Sequence, residues 1–249
     1  CERVLIEEGE AVGVEYRIKS KKGSHVERAY ARDETILCGG VINSPQLLEL
    51  SGVGDRQHLE SVGLEVKHHL PGVGENLQDH LTVNVQQGLN GVPTFFEETR
   101  PLAMAKNIFK YLLKGTGLLA HPAAQVGVFF RSTNDVSRAD SQIHFAPAAS
   151  EPDSKGNLKP APGTTATVCY LRPESRGSVH VRSKDPLAYP AIRANYLDTE
   201  HDRKAIIAAF RRVREIFQAP ALKQYRGEEF RPGALTQSDE QILDYVRAE

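Results

Sequence analysis

The sequence predicts a mixed α/β protein in two parts, and three observations carry that reading. Short β-rich runs separated by glycine turns fill the chain before His80, a helical apolar period begins at Leu102, and alternating strand-like runs follow from Val126. With 249 residues and 40% hydrophobic content the chain can bury a sizeable core, and length alone allows one large domain or two smaller ones. Thirty-one basic and 32 acidic side chains leave a net charge of -1 with no basic tract, so nothing favours a nucleic acid or an anionic membrane as partner. No apolar run reaches the roughly 20 residues of a membrane helix, and no charged region followed by an apolar stretch opens the chain, so export is not expected. Cys1, Cys38 and Cys169 are odd in number and show no CxxC or Cys/His spacing for zinc. They are expected as buried small residues in a reduced, cytoplasmic compartment, and no metal is expected.

The chain opens on Val4-Leu5-Ile6, a turn at Glu8-Gly9-Glu10, the run Val12 to Ile18, a second turn at Lys21 to Ser24, and alternating residues to Ala31: a β-meander. Thr35-Ile36-Leu37-Cys38 is expected as a strand leading through Gly39-Gly40 into a short helix, with Ser44 as N-cap and Pro45 at its first position. Five glycines from Gly52 to Gly74 keep the backbone turning as far as His80. Val83-Asn84-Val85 enters the second part, where Leu102, Ala105, Ile108, Phe109, Leu112 and Leu113 mark one face of a helix closed by Gly115 and Gly117. Strands are expected at Val126 to Arg131, Gln142 to Ala146, Thr164 to Leu171 and Ser178 to Arg182. Between the second and third of these, Glu151 to Gly163 reads as a solvated loop able to act as a lid. A helix from about Asp202 to Gln218 has Ile206, Ile207, Phe210, Val213 and Phe217 on its apolar face and turns Arg203, Arg211, Arg212 and Arg214 to solvent. Ser238 and Gln241 form the capping box of a last helix. That helix reaches Glu249 without a C-cap signal, which leaves a natural end and a cut chain equally open.

Three blocks carry a resemblance. GVINSPQLLELSGVG, Gly40 to Gly54, resembles the second signature of the glucose-methanol-choline (GMC) flavin oxidoreductases, departing from it at Val41, where that pattern takes a smaller residue or proline. LPGVGENLQDHL, Leu70 to Leu81, and the stretch from Arg172 to Asp202 are similar to the choline dehydrogenase branch of that family. The resemblance implies an α/β (α+β) fold: residues 1–82 as the later part of a doubly wound FAD-binding domain, and 83–249 as a substrate-binding domain with a large antiparallel sheet and flanking helices. It implies FAD as cofactor and oxidation of the CH-OH group of a primary alcohol to an aldehyde, with electrons passing to a quinone or other carrier. Choline dehydrogenase itself is the alternative, and a non-catalytic binding or scaffold module of the same fold is a rival of another class.

Two pieces of the family pattern are missing. No GxGxxG opens a βαβ unit, and the HPxGT segment, whose His acts on the substrate hydroxyl, does not occur. The resemblance therefore puts no catalytic residue in this chain, implies an internal fragment, and leads us to expect that the 249 residues alone are inactive. What remains is cofactor packing and a substrate wall. Cys38, Gly39, Gly40, Ser44 and Pro45 lie where the family turn meets the FAD, and Cys1 where a residue contacts the adenine end. An ordinary tight turn and a plain strand residue are the competing readings. Gln125 and His144 stand where choline-oxidising relatives have polar substrate-side residues, the first of them a Glu that can balance a trimethylammonium. A space-filling Gln and a hydrogen-bonded core His are the plain alternatives. Asn76, Asp79 and His80 are expected to satisfy loop backbone rather than to catalyse.

Overall fold

The computed structural model describes residues 1–21, 23–152 and 157–249. The chain forms two compact units, Cys1–Asp79 with Ser175–Asp198, and His80–Glu174 with Thr199–Glu249. The first unit begins with β1 (Arg3–Glu7), β2 (Glu10–Ser20) and β3 (Gly23–Tyr30), and continues through α1 (Gly40–Leu50), β4 (Val53–Gly54), α2 (Arg56–Ser61) and β5 (His68–His69). The second unit takes up β6 (Thr82–Leu89), α3 (Phe95–Glu98), α4 (Pro101–Lys114), β7 (Val126–Phe130), β8 (Ser141–Ala146), β9 (Ala149–Pro152), β10 (Leu158–Ala161) and β11 (Gly163–Tyr170). The chain then returns to the first unit for β12 (Ser178–His180) and β13 (Ala191–Arg193), and closes in the second with α5 (Glu200–Gln218), β14 (Arg226–Arg231) and α6 (Asp239–Ala248).

In the first unit the meander forms as expected, with β1, β2 and β3 antiparallel in that order. Glu8 and Gly9 both take positive φ, 52° and 85°, in a two-residue turn whose twist matches the strands it joins. Val4 N donates to Ser51 Oγ at 2.7 Å, which ties β1 to the end of α1. Two expectations around α1 need correction. Thr35–Cys38 has no ladder partner among the described residues. The helix begins at Gly40, leaving Pro45 inside it, and Ser44 is not its N-cap. Gly40, at φ 77°, lets the backbone swing into the helix a turn early, a conformation that costs glycine little. Ser44 Oγ reaches back instead to accept a hydrogen bond from Gly39 N at 3.1 Å.

The second unit is built on a five-stranded antiparallel sheet in the order β14-β6-β11-β8-β7. Strand alternation puts Val83, Val85, Ile143, Ala166 and Val168 on one face, each 0% exposed. That face carries α5, whose Ile206, Phe210, Val213 and Phe217 are buried and whose Phe217 ring meets Phe145 edge-on at 5.7 Å. Each such side chain stabilises by about 1.5–3 kcal/mol, so this layer is the main core of the unit. Thr199 caps α5, and Ser238 with Gln241 caps α6 in the expected capping box.

Two further expectations change here. Arg214 does not face solvent: it grips Glu229 with Nε at 2.9 Å and Nη2 at 2.6 Å and lies over the Phe210 ring. Of the stretch Glu151 to Gly163, expected as a solvated loop able to act as a lid, residues 151–152 and 158–161 pair in the antiparallel ladder of β9 and β10 and Gly163 opens β11, and residues 153–156 lie outside the described residues. The apolar stripe of α4 points outward, with Leu102 86%, Leu112 76%, Phe109 66% and Leu113 66% exposed. The helix seats itself through Asn107, which donates to the Glu98 carboxylate at 2.8 Å.

Candidate functional site

The glycine turn is open. Its helix α1 has Gly39 as N-cap with no side-chain cap and no acidic residue in the first turn, so the positive end of the helix is left uncompensated by side-chain charge. Cys38 and Gly40 are exposed, and a Cβ added at Gly40 would meet nothing within 4 Å. Thr35 Oγ1, upstream in the unpaired segment, is buried without a hydrogen-bond partner among the described residues. An uncapped, glycine-lined helix start following an orphaned hydroxyl fits the approach of a polar, anionic ligand group. Cys1 makes its contacts inside the meander, its Sγ lying 3.6 Å from Glu15 O. The cysteine expectation fails in part: Cys1 and Cys38 are exposed and Cys169 alone is buried, its thiol pushed up by burial.

In the second unit the sheet face opposite α5 is polar. Register places Asn84, Thr167, His144 and Gly127 in one row across β6, β11, β8 and β7. Thr167 Oγ1 donates to Asn84 Oδ1 at 2.7 Å, as side chains on a shared face can. His144 is exposed in this row. Gln125, just before β7, donates its backbone N–H to Phe145 O at 2.9 Å. It lines a cleft of about 300 Å³ with Thr94, Phe95, Lys110, His121 and Pro147. Thr94 opens α3 with a capping box, and its hydroxyl holds the Glu97 carboxyl below the usual range. Gln125 thus immediately precedes β7 in the cleft wall, and His144 lies on the adjoining β8, out on the polar face.

In the NLQDH segment the expected contact with loop backbone is made by His80, whereas Asp79 meets a side chain. Asn76 takes φ 61°, Asp79 accepts from Tyr196 Oη, and His80 Nε2 lies 3.1 Å from Leu171 O. The Asp79 bond pushes the Tyr196 phenol up to about 12.

One cluster has no signature in the sequence. In the first unit Glu49, His58 and His180 converge, with Glu49 fully buried and His180 Nδ1 2.7 Å from Glu49 Oε1. Glu49 and His180, the pair in direct contact, are 131 apart in the chain.

Comparison with known proteins places these features in a family. The GMC oxidoreductase models match residues 1–82, with an N-terminal model, and 173–249, with a C-terminal one. An oxygen-dependent choline dehydrogenase of Acinetobacter baumannii is 39% identical over 249 residues, a match covering 98% of this chain and 44% of that protein. The chain thus spans less than half the length of that relative. Among solved structures, an FAD-dependent oxidoreductase from Chaetomium thermophilum superposes with a TM-score of 0.78 at 24% identity, covering 99% of this chain and 48% of that one. A formate oxidase gives 0.84 at 20% identity, with 99% and 48% coverage. At such identities the structural likeness speaks for the fold, and it agrees with the sequence matches at both ends of the chain. The uncapped glycine turn, the polar-faced antiparallel sheet and both family models lead to one conclusion: this chain belongs to the GMC oxidoreductase family.

Proposed function

We propose that the chain is part of an FAD-dependent oxidoreductase that oxidises the CH-OH group of a primary alcohol to an aldehyde. The single observation that carries the site assignment is the polar sheet face bearing His144, opposite the apolar face held by α5. When bound, FAD supplies the acceptor for the hydride that leaves the alcohol carbon. Residues 1–82 would pack against it through Cys38, Gly39, Gly40, Ser44 and Pro45, with Cys1 toward its adenine end. Residues 83–249 would form the substrate wall. His144 would hydrogen-bond the hydroxyl and fix its orientation, and Gln125 would set the polarity of the adjoining cleft.

Gln125 is neutral, which favours an uncharged alcohol over a quaternary ammonium substrate. The second reading, choline, is favoured by the 39% identity to a choline dehydrogenase. A substrate panel on the whole protein decides between them. We further infer a cytoplasmic protein, peripheral to a bilayer, with a quinone or other carrier as electron acceptor. No helix among the described residues is long and apolar enough to cross a membrane. Support for the peripheral reading comes from α4, whose outward apolar stripe is accompanied by Lys106, Lys110 and Lys114 and by no acidic residue. The 249-residue chain by itself should purify without flavin and show no alcohol-dependent dye reduction. Stoichiometric FAD in that preparation would contradict the reading of these residues as part of a longer flavoenzyme that lack its pyrophosphate site.

A further inference from the structure

Four side chains in the first unit form an arrangement that the flavin chemistry does not use. Glu49 sits in the last turn of α1 with its side chain 0% exposed. A carboxylate buried to that degree needs a cation or a full set of donors. Its Oε2 accepts from Val181 N at 2.7 Å, which fixes the plane of the group. Its Oε1 faces His180 Nδ1 at 2.7 Å, and His58 Nε2, on α2, stands 3.9 Å from Oε2. His180 is sandwiched: its other nitrogen, Nε2, lies 3.0 Å from Glu75 Oε1. A neutral imidazole has one N–H to give, yet both of these nitrogens face carboxylate oxygen. Either both carry protons or a second positive centre occupies the Nδ1 side.

We propose that Glu49, His58 and His180 bind a divalent transition-metal ion of the zinc class, with Glu75 holding His180 from behind. The three ligand atoms already lie within 4.8 Å of one another. Around a tetrahedral zinc, with bonds of about 2.0–2.2 Å, they would be roughly 3.3 Å apart. The adjustment is small: the Glu49–His180 contact opens, and His58 gives up its 3.1 Å contact with Val181 O to turn toward the ion. The metal replaces the proton on His180 Nδ1, leaving Nε2–H for Glu75, the carboxylate–histidine–metal relay that orients ligating imidazoles. Two imidazoles and one carboxylate suit zinc, cobalt or nickel and do not suit calcium or magnesium, which need an oxygen shell. Entry is open from the histidine side, where the His58 and His180 side chains are 27% and 20% exposed. The fourth position is left for water. The ion would tie α1, α2 and β12 together, a structural role independent of the proposed oxidation.

The test uses the 249-residue chain, freed of metal with a chelator and titrated with ZnCl2 by calorimetry and with CoCl2 by visible absorption. We expect one equivalent of each ion, the tetrahedral cobalt bands, and a rise in melting temperature on adding zinc. His58→Asn, which can still donate to the Val181 carbonyl, should remove the stoichiometric binding while keeping the circular-dichroism spectrum of the parent. Glu75→Gln keeps all three ligands and should weaken zinc by about 10–100-fold. His68→Asn, in an exposed histidine pair, should bind as the parent does. The proposal is overturned if the parent takes up no stoichiometric zinc, or if His58→Asn binds it as tightly as the parent. A shift of binding with His68→Asn instead would assign the ion to the surface pair and overturn it equally.

Discussion

At the scale of single residues, the two kinds of site differ in how far the sequence could show them. Gly40 was legible because its positive φ at a helix start leaves few residue choices. Glu49 was not, since its partners lie on α2 and β12 and nothing local marks a glutamate as buried. A sharper residue-level test is Gly52, at φ 85°, where an added Cβ would lie 2.4 Å from the backbone oxygen of Glu65. Gly52→Ala should therefore destabilise the first unit by about 1–3 kcal/mol, read from the shift of a urea midpoint at unchanged slope. Tyr196 offers a titration. Its phenol ordinarily titrates near 10.0 and is pushed up to about 12 by Asp79. The folded state thus holds the proton more tightly: the contact contributes fully below pH 10.0 and is lost as pH rises through about 12. Tyr196→Phe should remove one step displaced above the ordinary phenol range from an ultraviolet titration of the folded chain while leaving the others in place.

At the scale of elements, α4 and α5 show why periodicity alone cannot assign a buried face. Both have a helical apolar stripe, but α5 turns Phe210 and Val213 inward at 0% exposure and α4 turns Leu112 and Phe109 outward. A stripe is written in the local pattern, and its direction is set by the surroundings. In α4 the Asn107–Glu98 bond sets the inner side, a tertiary contact that a periodic pattern does not encode. Phe210→Ala should cost about 3–5 kcal/mol, whereas Leu112→Gln should stay within about 0.5 kcal/mol, both by chemical denaturation. The same stripe gives the peripheral-membrane reading its own test. The chain should co-sediment with vesicles of anionic phospholipid and release in high salt, and Phe109→Ser with Leu112→Ser should abolish this. Absence of sedimentation would mean that this face meets something other than a bilayer. The same limit explains Arg214: its fork onto Glu229 on β14 leaves its side chain 15% exposed, although the side chains of its neighbours Arg211 and Arg212 stay exposed as the pattern implied.

At the scale of the whole molecule, two features of the architecture bear on function. The five-stranded sheet separates an apolar face, spent on α5, from a polar face on which His144 is exposed. Alternation in Gln142 to Ala146 announced that split, because strand period two needs no tertiary knowledge. The return of Ser175–Asp198 to the first unit was not announced, since it depends on long-range pairing such as that of Leu77 with Gly177. Gln125 belongs to this scale too, because its neutrality would set substrate charge for the whole protein. There, Gln125→Glu should improve choline relative to a neutral alcohol of similar size by at least about tenfold, the equivalent of 1.4 kcal/mol, in kcat/KM.

Everything proposed for the reaction depends on the polar sheet face being the wall at which an alcohol meets the flavin. Anaerobic mixing of the whole protein with a neutral primary alcohol, followed by flavin absorbance, tests this directly. We expect the flavin to bleach in a single turnover, and His144→Ala to slow that bleaching by about 10–100-fold, the loss of one positioning hydrogen bond, with flavin content unchanged. Bleaching at the parent rate in His144→Ala, or no bleaching by any primary alcohol, would contradict it.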